Sequence, residues 1–114
     1  MLYTSGSLAL ATLEVLVHMA PERRVSGDLP IMVAVEIDLP EALIQKAVDM
    51  PLDHAATQSF GDAWLAECAA LALEVPSRVI PVESNVLINP AHPQAASIRL
   101  IRQIPFVFDD RLGR

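Results

Sequence analysis

Glu14 is the residue whose type and place first suggest chemistry. It lies inside LYTSGSLALATLEVLVH (residues 2–18), where Leu8 to Val17 is otherwise almost wholly apolar. At about 100° per residue, Ser7, Glu14 and His18 fall within about 40° of one another on a helical wheel. A narrow polar stripe therefore runs along an apolar helix. Such a stripe is either the solvent face of an amphipathic helix or the wall of a cleft. A buried carboxylate needs partners or a proton, because desolvation disfavours its charged form. In a cleft, the same group is suited to steadying a cationic transition state or to general acid/base work.

Six other residues carry groups that a ligand could use. Tyr3 stands just before the helix and, taken alone, reads as a core or edge-strand aromatic. Ser77 follows a proline, the setting of a turn hydroxyl that bonds backbone. Ser84 is a second serine in the same region. Asn85 and Asn89 flank Val86–Ile88, and Asn89, before Pro90, has the character of a turn former. His18 is one turn after Glu14 and within hydrogen-bond reach of it. The histidines at 18, 54 and 92 and Cys68 share no metal-ligand spacing, so no metal site is expected. No GxGxxG or GxxxxGK[ST] pattern occurs, and Gly6 belongs to no phosphate loop. No second carboxylate is placed to partner Glu14, which weighs against a carbohydrate-active enzyme.

The elements that must position these groups follow from periodicity and punctuation. Leu2–Thr4 reads as the tail of a strand. Ser5 or Ser7 can cap a helix to about Met19, with Leu8, Leu13 and Leu16 expected in the core. Pro21, Gly27 and Pro30 mark a loop. Ile31–Leu39 alternates as a strand. Pro40 suits the first turn of a short helix over Glu41–Val48, ended by Pro51. Asp53–Gly61 is loop-like, and a helix is expected over about Asp62–Leu71, with Trp64 as a core anchor. Leu71–Val75, Arg78–Ile80, Asn85–Ile88 and Ile98–Ile104 read as strands, the last extended by Phe106–Phe108. The pattern is α+β, a compact mixed-sheet fold with two to three helices.

The 114 residues suffice for one domain with a modest core. Hydrophobic residues make up 53% and mean hydropathy is +0.40, apolar for a small domain. Surface covered by another segment or chain is therefore expected. The net charge of −6 argues against direct nucleic-acid binding. Arg99, Arg102, Arg111 and Arg114 gather near the C-terminus, and Glu36, Asp38, Glu41, Asp49 and Asp53 gather mid-chain. A solvated surface or an interaction face explains either cluster. The single cysteine allows no intrachain disulfide and fits a reducing compartment. No apolar run approaches the ~18 residues of a membrane span, and no signal-peptide pattern opens the chain, so the cytoplasm is expected.

Taken in order, four segments carry a resemblance. LYTSGSLALATLEVLVH, FGDAWL (60–65), LEVPSRVIPVESNVLINPAHP (73–93) and FVFDDRL (106–112) resemble motifs of RES-domain proteins, toxins of Xre-type toxin–antitoxin pairs. The resemblance spans nearly the whole chain. It implies a fold related to the ADP-ribosyltransferases and an enzyme that consumes NAD⁺ as substrate, with no further cofactor. Acceptors within the family are phosphate, water or a protein. Tyr3 matches the family's tyrosine, Glu14 its helix glutamate, and Ser77, with Ser84 second, its serine. The residue types agree with the chemistry. Departing nicotinamide leaves an oxocarbenium-like ribose, which a carboxylate steadies. Tyrosine offers a face for stacking, and a serine hydroxyl can bond ribose or amide.

The family also places an arginine about ten residues before the tyrosine, and no basic residue of this chain matches it. The 1–114 domain is therefore expected to be N-terminally incomplete and to degrade NAD⁺ poorly until extended upstream. The expected partners are an Xre-like antitoxin and NAD⁺, with a homodimer left open. The alternative is a catalytically dead RES remnant that acts only as an antitoxin-binding module.

Overall fold

The computed structural model describes residues 1–27, 29–47 and 54–113. Val48, Asp49, Pro51 and Asp53, named above, lie outside them, as does Arg114. The chain runs β1 (Leu2–Ser5), α1 (Leu8–His18), α2 (Pro21–Ser26), β2 (Ile31–Asp38), a 3₁₀ turn at Glu41–Leu43, β3 (Ile44–Lys46), α3 (His54–Glu67), β4 (Ala72–Pro76), β5 (Ser84–Ile88), β6 (Arg99–Val107) and a 3₁₀ turn at Asp110–Gly113. Among the described residues, three α-helices on mixed sheets make an α+β fold.

The main sheet has the order β1-β5-β4-β3. Its strands pair antiparallel except β3 with β4, which are parallel. A parallel pair needs a long crossover, and α3 supplies it. Opposed residues share a face, so Tyr3, Leu87 and Leu73 lie on one side, with Ser5, Asn85 and Val75 two residues along it. Trp64 of α3 packs there with Leu73, Val75 and Leu87. The other face buries Ala72 and Ile88 with Leu71, against partly buried Ile37, Leu39, Leu43 and Ile98.

Several expectations give way to tertiary context. Pro21 opens a helix instead of a loop, because a proline at its start loses no hydrogen bond and Gly27, at φ 75°, closes it in the left-handed region. The expected Glu41–Val48 helix shrinks to one 3₁₀ turn. Ile44 is drawn instead into register with Ala72, where a β-branched side chain packs well. α3 starts at His54, inside the expected loop. Phe60 and Trp64, one turn apart, both pack on the sheet, which offsets the helix cost of Gly61. Arg78–Ile80 is not a strand, because the Ser77 hydroxyl accepts the amides of both Val79 and Ile80 and folds the segment into a turn.

β2 and β6 form a separate antiparallel ribbon. Its register sets Glu36 opposite Arg102 and Asp38 opposite Arg99, and Arg102 donates to Glu36. These members of the two charge clusters answer each other within the molecule. Arg111 pairs bidentately with Asp109. The ribbon keeps Ile31, Val33, Val35 and Val107 at least half exposed. Total accessible surface is 7758 Å², against roughly 6,100 Å² for a compact monomer of this length.

In α1 it is Leu10 and Leu16 that are buried, while Leu8 and Leu13 are exposed. The helix starts at Leu8, and Ser7 caps it, its hydroxyl accepting the Leu10 amide at 3.1 Å. Ser7→Ala is expected to lower stability by about 1 kcal/mol, read as a shift in the urea midpoint at unchanged slope.

Candidate active site

The turn from β1 into α1 fixes where Glu14 falls. Gly6 donates its amide to the Ser84 carbonyl at 3.0 Å, and a Cβ there would stand 3.3 Å from that oxygen. Glycine thus lets the turn press against β5. With Ser7 capping at once, Glu14 arrives two turns later, beside the Asn85 end of the sheet.

There Glu14 Oε1 accepts two hydrogen bonds, from the Ser77 hydroxyl and from Asn85 Nδ2, both at 2.8 Å. Asn85 Oδ1 accepts the Ser5 hydroxyl at 2.7 Å. A carboxylate can only accept, so the amide nitrogen must face Glu14 and the amide oxygen must face Ser5. Ser77 is 2% exposed, and its oxygen accepts the Val79 and Ile80 amides at 3.1 Å each. Ser5, Asn85, Glu14 and Ser77 thus form one continuous network across β1, β5, α1 and the end of β4. Among the described residues no hydrogen bond engages Glu14 Oε2. Glu14 is half-buried, neither on an open face nor sealed in the core.

The other candidates are placed differently. Tyr3 lies two residues before Ser5 on the same face of β1, 78% exposed. Its ring is free of the core. Ser84 alternates with Asn85 and so belongs to the opposite face of β5; its carbonyl holds Gly6. Asn89 is buried at the far end, roughly 13 Å along the strand from Asn85. It faces the Leu65 carbonyl and Cys68 and accepts the Ala91 amide, the work of a turn former that ties down the end of α3. His18 bonds the backbone carbonyl of Glu14, not its carboxylate. Ser5 figured in the sequence only as an alternative helix cap; its place in the network could have been sought from its pleat position, in phase with Tyr3.

A second feature borders α1 on its ribbon side. It is an apolar cleft lined by Ala11, Thr12, Val15, Met32, Val33, Ala34, Phe106 and Phe108. Glu14 is not among its walls, and the hydroxyl of Thr12 is engaged by Leu8. With no charged group, this cleft offers shape but no chemistry. Among the described residues no group of three or more His, Cys, Asp or Glu could hold a metal ion, and no helix is long and apolar enough to cross a membrane.

Comparison with known proteins bears on what this geometry is for. The family model described as RES domain matches residues 1–109. A Prs ADP-ribosylating toxin of Sphingobium is 35% identical, over 98% of this chain and 74% of that protein. A Toxin Res of Yersinia enterocolitica is 30% identical, over 97% of this chain and 76% of its own. A Toxin Res of Pseudomonas putida is 35% identical, over 96% and 77%.

Proposed function

We propose, because this chain belongs to the RES domain family, that it is a toxin enzyme that binds NAD⁺ and breaks the nicotinamide–ribose bond. The observation that carries this reading is the Glu14 carboxylate, held at one oxygen by Ser77 and Asn85. As nicotinamide leaves, positive charge develops at ribose C1′. A fixed carboxylate steadies that charge without reorganising, and can hold a ribose hydroxyl. The bond breaks with its electron pair going to the nicotinamide nitrogen, and the ADP-ribosyl cation is then captured by phosphate, water or a protein nucleophile. Tyr3, exposed on the same sheet face as Asn85, offers its ring to the planar nicotinamide. An ADP-ribosylating toxin among the relatives supports the same bond as the target.

The partner of this reading is an antitoxin protein of Xre type, supported by relatives named Toxin Res. The apolar ribbon face of Ile31, Val33, Val35 and Val107 favours a protein cover of that kind, and it also supports the second reading, an inactive antitoxin-binding module. Mass spectrometry of NAD⁺ incubated with the chain, and with an upstream-extended form in parallel, separates the two. Release of free nicotinamide with an ADP-ribosyl product is expected. Intact NAD⁺ with both forms, alongside tight antitoxin binding, would favour the module.

A further inference from the structure

We infer that Ser5, Asn85 and Ser77 form a donor clamp that fixes Glu14 through Oε1 and reserves Oε2 for substrate, with Ser5 and Asn85 acting as positioning residues rather than substrate contacts. The inference deepens the proposed function and rests on it for its kinetic consequences.

Saturation is the reason. The Ser77 oxygen already accepts two backbone amides and gives its single proton to Glu14. A hydroxyl offers one donor and two acceptor positions, so it has no capacity left for a ligand. Asn85 is tied at both ends of its amide, with Oδ1 accepting from Ser5 and one Nδ2 proton given to Glu14. The Glu14 carboxylate, which can only accept, decides the amide's orientation, and the Ser5 hydroxyl, donating to Oδ1, holds it there. Turned over, Asn85 would set its oxygen against the carboxylate, acceptor against acceptor. The clamp therefore reaches from β1 to the carboxylate through one amide. It locks the carboxylate plane by converging two donors on one oxygen, and the described residues leave the other oxygen unengaged. A carboxylate held this way meets a developing cation with one defined oxygen, which is what preorganised electrostatic catalysis requires.

The test has a spectroscopic and a kinetic arm. In the parent, the Asn85 side-chain amide is expected to give two widely separated NMR proton signals, one protected from solvent exchange. Ser5→Ala and Glu14→Gln should each move them, whereas Ser5→Thr, which keeps the hydroxyl in a strand, should restore them. For NAD⁺ turnover in the more active of the 114-residue and upstream-extended forms, Asn85→Asp is expected to lower kcat by roughly 10- to 100-fold and Ser5→Ala by roughly 3- to 10-fold. KM should stay within about threefold, because the clamp acts in the transition state. Ser5→Thr should return kcat to within about twofold of the parent.

An Asn85 amide with exposed-amide signals, unmoved by Ser5→Ala and Glu14→Gln, overturns the clamp whatever the activity. So do Ser5→Ala and Asn85→Asp at parental kcat beside an inactive Glu14→Gln. Parental turnover by Glu14→Gln itself would instead overturn the proposed function, and the amide signals would then judge the clamp alone.

Discussion

Glu14→Gln is expected to cut NAD⁺ turnover by about 100- to 1,000-fold, the size of effect seen when a preorganised electrostatic group is removed. KM should change little, because the charge matters most once nicotinamide begins to leave. Glutamine keeps the side chain's length and shape, and its amide oxygen can still accept from Ser77 and Asn85. The fold should therefore survive, with any stability change within about 1 kcal/mol for a half-buried site. The informative result is the split: activity lost, melting temperature and KM retained. Turnover at the parental rate would return Glu14 to the bland role of a polar stripe on a helix.

Leu73→Ala should have the largest effect on stability, about 3 kcal/mol within the usual 2–5 for such truncations. Leu73 is fully buried on the central strand β4 and belongs to the cluster of Trp64, Val75 and Leu87. Its removal leaves a cavity where α3 meets the sheet. A single domain is held by only about 5–15 kcal/mol, so much of the folded state's margin goes with it. Urea denaturation reads the loss as a midpoint lowered by about 1–3 M at unchanged slope. A shift worth less than about 1 kcal/mol would mean that the layers reclose around alanine and that this contact does not organise the core.

What the sequence made legible divides along local and non-local lines. The strand at Ile31–Asp38 showed itself by alternation, and α1 by its capping serine and apolar run. Glu14 stood out because a charge inside such a run is conspicuous on any wheel. Residues 41–48 misled because pairing with β4, through Ile44 opposite Ala72, overrides the helix signal of Pro40. The left-handed Gly27 that closes α2 was visible as a glycine, but not as the end of a helix. At the site, Ser77 could be chosen only by resemblance. What makes it a partner of Glu14 is a chain that folds back over a sequence separation of 63. Asn89 looked as eligible as Asn85, since both flank the same apolar triplet. The length of β5 puts one beside Glu14 and the other past the opposite end of the strand, buried under α3. Ser5 was visible as a cap, yet Ser7 takes that role and frees Ser5 for Asn85.

The central claim is that Glu14 meets the nicotinamide ribose. A crystal structure with a non-cleavable NAD⁺ analogue, in the form that turns over NAD⁺, measures this directly as the distance from Glu14 Oε2 to the ribose. Hydrogen-bond contact of about 3 Å or less, with Oε1 still held by Ser77 and Asn85 and the nicotinamide ring against Tyr3, is the expected result. An analogue seated in the apolar cleft between α1 and the ribbon, or elsewhere with Glu14 engaged only by its protein partners, would contradict it.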